Sequence, residues 1–289
     1  MLLQIDGSVT APRGFRASGD GTYALITCGL PAVCSGVFAK NRVLSAPVKW
    51  TSFLTEQYDT AQAIFICGNK SGIAVGDEGY ADTVQLAEEA AAAIGISPEK
   101  VLLAAAGAAG VRFSPEEAAE AVAALTRTLS SEDGAGESVG IAVAPDGEAV
   151  ELAVEFDIGE KRVRLGGVCR RGEAFALLTT DAAISKEMLD RALRADAEET
   201  FFMAMPDGSR GGDCILCAAS GMAGNKRVCE EDASYAAFCA ALRHVTAYLA
   251  KRVATTGRLL EVTVQNAADK QTASTLARAG AASVPLRRK

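Results

Sequence analysis

The apolar positions of this chain switch repeatedly between a strand-like and a helix-like spacing. Short apolar runs at 24–27, 34–39 and 63–67 predict strands. Residues 80–94 carry Ala and Glu at helical spacing and predict a helix that Gly95 ends. A buried strand is expected at 101–105. Ser114-Pro115-Glu116-Glu117 reads as a helix start, with Ser114 as N-cap, Pro115 in the first turn and Glu117 three residues after the cap; this helix runs to about Leu129. The polar stretch 130–137 predicts a loop, and strands are expected at 139–144, 150–156, 162–168 and 174–178, with Asp146-Gly147 and Gly159-Glu160 as turns. A helix at 185–197 and a strand at 214–219 come next. The helix at 232–253 has an apolar face of Phe238, Cys239, Leu242, Val245 and Leu249. A strand at 259–264 and a helix at 269–279 complete the pattern. Strands interleaved with helices imply an α/β or α+β layered protein, and a break in composition at 170–172 suggests two lobes, 1–170 and 171–289.

Composition narrows the function classes. With 289 residues, 49% of them hydrophobic, the chain can fill the core of one large domain or two ordinary ones. A net charge of -7 argues against a nucleic-acid partner. The compact basic cluster Arg287-Arg288-Lys289 reads as a solvated tail. Residues 1–6 have no basic, apolar signal pattern, and the longest apolar run, 101–111, is about half a membrane span. A soluble, cytoplasmic protein with no membrane partner is expected. The eight cysteines are then free thiols, mostly packed as small hydrophobes.

Five ordered stretches carry a more specific signal. They are Val9-Thr10-Ala11-Pro12-Arg13-Gly14-Phe15-Arg16-Ala17; Ala32-Val33-Cys34-Ser35-Gly36-Val37-Phe38-Ala39-Lys40-Asn41-Arg42-Val43 with Ala46-Pro47-Val48; Gly68-Asn69; Leu178-Thr179-Thr180-Asp181-Ala182-Ala183-Ile184; and Glu261-Val262-Thr263-Val264. Together they resemble the ornithine acetyltransferase family, and their order along nearly the whole chain makes the set specific. The resemblance implies a two-lobed, layered αββα-type sandwich. It also implies a precursor that cuts itself before a threonine. The freed amine serves as local base, and the hydroxyl carries an acetyl group from acetylornithine to glutamate, with no metal or cofactor.

Four departures from that pattern change the expectation. The family's threonine segment lies between the Gly166-Gly167 strand and the Leu178 run. Here the interval is a shortened Val168-Cys169-Arg170-Arg171-Gly172-Glu173-Ala174-Phe175, without threonine. Thr179 and Thr180 match a different part of the motif. Where the family has a Thr-Gly oxyanion pair, this chain has Ala106-Gly107. Backbone donors around Gly107 and Gly110 remain, but the hydroxyl is lost, a donor typically worth about 3–4 kcal/mol. Residues 251–258 hold no carboxylate where the family has a substrate-contacting Glu, and the family runs on past the match near 273–279 with a stretch that closes its active site.

These differences point to a non-catalytic or diverged member that binds a small amino-acid-like metabolite or a partner subunit. Ala106, Gly107, Gly110 and Arg170 would surround the remnant pocket. Asp207 and Asp213 stand at the family's substrate-loop positions, where a plain turn is the competing reading. The alternative is an acyltransferase or amidohydrolase on acyl amino acids that uses Cys169 as nucleophile, its thiolate favoured by Arg170 and Arg171. A packed cysteine at a strand end competes with that reading. Cys214 and Cys217 have metal or redox spacing, but the resemblance sets them on a buried strand with side chains on opposite faces, so a core role is expected. His244 lies off the apolar face of its helix and is expected in solvent. A homo- or hetero-oligomer is expected to cover apolar surface and a sheet edge near 259–264.

Overall fold

A computed structural model describes residues 2–38, 40–144, 149–204, 211–253 and 262–283. The strands are β1 (Leu3–Ile5), β2 (Phe15–Gly19), β3 (Tyr23–Phe38), β4 (Thr60–Cys67), β5 (Val101–Ala105), β6 (Ala149–Ile158), β7 (Lys161–Arg170), β8 (Phe175–Thr180) and β9 (Cys214–Ala219). The helices are α1 (Ala46–Gln57), α2 (Gly76–Ile94), α3 (Pro115–Arg127), α4 (Asp133–Val143), α5 (Lys186–Glu199), α6 (Phe201–Ala204), α7 (Ala233–Val253) and α8 (Lys270–Ala282). Among the described residues the strands form one mixed sheet, ordered β1-β6-β7-β8-β9-β3-β4-β5, with β2 paired to β3.

The long strand β3 is the pivot. Its first half pairs with β2, its second half pairs with β9, and β4 pairs with Tyr23–Thr27 and again with Ala32 and Val33. The register on β4 shifts between Thr27 and Ala32, the kind of irregularity that bends a strand and re-aims the residues beyond it. The two halves of the sheet therefore close on one another. Ile26, Ile66 and Leu102 from one half share a core with Val168, Phe175, Leu177 and Leu216 from the other. Their strand neighbours point outward, as the two-residue period requires. Leu25, Phe65 and Leu103 pack under α2 and α3, against Leu86 and Val122. Leu165, Leu178 and Ile215 pack under α5 and α7, against Leu189, Leu193, Phe238 and Leu242. The result is helix, sheet, sheet, helix, the layering expected of the αββα class.

Local chemistry explains most boundaries. Ser114 caps α3 by accepting the Glu117 N–H, and Ser185 caps α5 by accepting the Met188 N–H. Gly95 adopts a left-handed conformation at the end of α2. The expected lobe boundary at 170–172 falls in the turn between β7 and β8, which pair across it.

Three expectations are corrected. Residues 133–143, expected as loop up to 137 and strand from 139, are instead helix α4, while 130–132 are non-helical. Val139, Ala142 and Val143 have helical spacing and are buried, and the helix comes close because it is glycine-rich. A side chain at Gly136 would strike Ser8 Oγ at 2.4 Å, and one at Gly140 would strike Glu151 Oε1 at 2.3 Å. The runs at 24–27 and 34–38 belong to one continuous strand, and residue 39 lies outside the described residues. Residues 262–264 form no strand, while 259–261 and the Asp146-Gly147 turn lie outside the described residues. Helix α1 had no counterpart in the periodicity, although Ser45 caps it and Pro47 sits in its first turn. No helix among the described residues is long and apolar enough to cross a membrane.

Candidate functional site

β4 and β5 run parallel and end together at Cys67 and Ala105. The loops that leave them, Gly68-Asn69-Lys70 and Ala106-Gly107-Ala108, bond to each other. Ala106 N–H donates to Cys67 O at 2.9 Å, Ala108 N–H to Asn69 O at 3.1 Å, and Ser71 N–H to Ala108 O at 3.0 Å. Gly107 holds φ at +114°, and a Cβ there would lie 2.6 Å from the Asn69 carbonyl carbon. Glycine is what allows this approach. The Gly107 N–H meets no acceptor among the described residues. Gly110 sits on the exposed side of the loop, and its N–H is already donated to Ile73 O at 2.9 Å. Of the two glycines expected to act as backbone donors, Gly107 is therefore the one positioned to receive an anion or carbonyl.

Arg170 ends β7 on the inner face. Its Nη1 donates to Gly68 O at 2.8 Å and to Val143 O at 2.9 Å, tying the β4 loop to the last residue of α4. Asp213, immediately before β9, is buried, and its Oδ1 accepts the Ala174 N–H at 3.3 Å. Gly212 faces the Ala105 carbonyl. Ala106, Gly107, Arg170 and Asp213 thus gather at one end of the sandwich, where β4, β5 and β7 finish and β8 and β9 begin. Asp207 lies outside the described residues.

Cys169 is not part of this group. Adjacent strand residues point to opposite faces, so with Arg170 turned inward the thiol points outward under α7. It is fully buried there, with Leu249 O at 3.7 Å. Burial pushes the thiol up to about 12, and the positive charges of Arg171 and Arg252 offset this only in part. The cation-favoured thiolate expected from the sequence is thus overturned by desolvation. Thr179 and Thr180 are also committed, their buried hydroxyls donating to Val9 O and Arg164 O at 2.7 Å each. Cys214 and Cys217 face different cores, Cys214 the inner and Cys217 the outer, and burial raises both thiols. Among the described residues no group of three or more His, Cys, Asp or Glu could hold a metal. His244 is exposed.

One residue escaped the sequence reading. Glu151 on β6 points at α4, and its Oε1 has no hydrogen-bond partner against Gly140. Burial, with a smaller contribution from Glu137, raises this carboxyl to about 7. The signal was available: Val150, Leu152 and Val154 alternate onto one face of β6, which leaves Glu151 on the other, covered face.

Comparison with known proteins fits this architecture. The ArgJ family model matches residues 9–287. The chain belongs to the ArgJ family. Among ArgJ proteins, the chloroplastic arginine biosynthesis bifunctional protein of Oryza sativa subsp. indica is 30% identical over 305 aligned residues, covering 97% of this chain and 66% of the rice protein. The ArgJ of Symbiobacterium thermophilum is 32% identical, covering 94% of this chain and 73% of its own length. This chain therefore spans about two thirds of the rice relative's length. The crystal structure of ArgJ from Bacillus halodurans superposes with a TM-score of 0.56 at 21% identity, covering 58% of this chain and 93% of that chain, and shares the fold.

Proposed function

We propose that this ArgJ-family protein binds a small amino-acid-like metabolite at the end of the sandwich around Gly107 and Arg170, and does not carry out threonine-based acetyl transfer. The observation that carries this reading is the β7–β8 turn. Where the family resemblance calls for a self-cleaving threonine, residues 168–175 contain none. The next two threonines along the chain, Thr179 and Thr180, are buried and bonded to backbone carbonyls. The nearest thiol, Cys169, faces the other side of the sheet and is held protonated by burial. Acyl transfer through a covalent intermediate needs an activated nucleophile beside its base, and no such pair stands here among the described residues.

Binding chemistry is better supported. The Gly107 N–H is held at a fixed position by the Asn69 contact, and the Arg170 charge sits one loop away. Together they favour the carboxylate or carbonyl of a small ligand. Ala106 in the oxyanion position supplies no hydroxyl, so the arrangement holds a ligand more readily than it stabilises a tetrahedral intermediate.

The test combines a binding and a turnover measurement on the same preparation, with N-acetylornithine and glutamate. Saturable binding of N-acetylornithine or ornithine, without acetyl transfer, is the expected result. Turnover on the order of 10 per second would refute the non-catalytic half. Absence of saturable binding would refute the binding half.

A further inference from the structure

A cavity lies at the opposite end of β7 and β8, beside Arg164 and the Asp181 just past β8, away from Gly107 and Arg170. Its volume is about 470 Å³. Charged side chains of both signs line it: Arg13 and Arg164, and Asp6 and Asp133. Phe15 and Ser131 contribute an apolar and a polar surface.

The Arg13 guanidinium reaches the buried Asp181, whereas Arg164 reaches it through its backbone N–H and pairs its side chain with Glu155. The Arg13 N–H and Nη1 reach Asp181 Oδ2 at 3.4 and 3.1 Å, and the Arg164 N–H reaches Oδ1 at 2.7 Å. The guanidiniums are held in place by these and neighbouring bonds. Arg13 Nη1 also donates to Arg162 O at 3.2 Å, and Arg164 donates from Nε to Glu155 at 3.2 Å and from Nη1 to Ala11 O at 3.3 Å. Each arginine still keeps Nη2 donors that meet no acceptor among the described residues. Asp6 and Asp133 supply the carboxylates of the lining. Asp133 opens α4 and packs on the backbone of Gly7, where a built Cβ would lie 3.0 Å from its Oδ1; Asp6 is the preceding residue. Neither Asp6 nor Asp133 meets a cation or a donor among the described residues.

A ligand with a single charge would meet one set of groups and leave the other without a ligand partner. We infer that this cavity is a second binding site, taking a free α-amino acid with its carboxylate on Arg13 and Arg164 and its ammonium on Asp6 and Asp133. One free Nη2 on each of two fixed guanidiniums can donate to a carboxylate, and aspartates suit an ammonium. The site is separate from the one around Gly107 and does not depend on it.

Equilibrium dialysis of the full chain tests this, with L-glutamate and L-alanine as probes. Comparison ligands are the N-acetylated and carboxamide forms, inorganic phosphate and 1,4-diaminobutane. The expected result is saturable binding of at least one free amino acid, weakened tenfold or more when either its amine or its carboxylate is blocked. The Asp6→Asn/Asp133→Asn double variant should weaken binding to a similar degree. Asp6→Asn alone, at an exposed position, provides the same readout should the double variant unfold. No binding of any free amino acid, equal binding of the blocked forms, or binding of phosphate or the diamine alone would overturn the assignment. Binding that survives Asp6→Asn/Asp133→Asn would overturn it as well, and would place the amino acid elsewhere on the protein.

Discussion

Replacing Glu151 by Gln should stabilise the protein above neutral pH and flatten its pH dependence. The carboxyl is wedged between β6 and α4, with Oε1 against Gly140 and unpartnered. Its proton affinity in the folded state is raised from the ordinary 4.5 to about 7. A carboxyl shifted upward binds its proton more tightly folded than unfolded. Below pH 4.5 both states are protonated and the site costs nothing. As pH rises from there to about 7, stability is lost, and beyond 7 the full penalty of a buried charge remains. At about 1.4 kcal/mol for each tenfold change in affinity, the ceiling is roughly 3 kcal/mol. Partial access to solvent screens the charge and brings the expected figure to about 1–2 kcal/mol. Glutamine keeps the shape and removes the charge. Urea unfolding at pH 5 and pH 8 reads the effect: the variant should gain about 1–2 kcal/mol over the parent at pH 8 and little at pH 5. Equal pH slopes for parent and variant, or a variant less stable at pH 8, would refute the reasoning.

Other substitutions test the fold and the candidate site. Gly107→Ala forces a side chain into the Asn69 backbone at φ +114° and should cost about 2–4 kcal/mol in urea unfolding. Gly110→Ala, at φ +75° with open space, should cost about 1 kcal/mol in the same assay. Iodoacetamide applied to the folded chain should label the exposed Cys229 well before Cys169, Cys214 or Cys217, as peptide mass mapping would show. Leu177→Ala, in the inner core with no exposed surface, should lower stability by about 2–5 kcal/mol.

The layering and most elements were legible because the relevant signals are local. Ser114-Pro115-Glu116-Glu117 announces α3, and 214–219 reads as the strand it is. The opposite facing of Cys214 and Cys217 is a consequence of strand geometry alone. Where the sequence misled, non-local packing decided. Helix α4 is rich in glycine and weak by propensity, and it forms because Gly136 and Gly140 fit against Ser8 and Glu151. The continuity of β3 depends on a register shift that only its partners β4 and β9 define. At the candidate site, the loops around Gly68 and Gly107 were anticipated from their motifs. The direction of Cys169 was not, because the flanking arginines suggested an activated thiol while the strand pleat turned it into the core. The cavity beside Arg13 was out of reach of the sequence, since Asp6, Asp133 and Arg164 meet only through long-range folding.

Intact-mass spectrometry of the chain after incubation with N-acetylornithine addresses the central claim most directly. The account predicts one uncut polypeptide of unchanged mass. An acetyl adduct on any residue at this end of the sandwich, or two fragments from a break between Gly166 and Thr179, would contradict it.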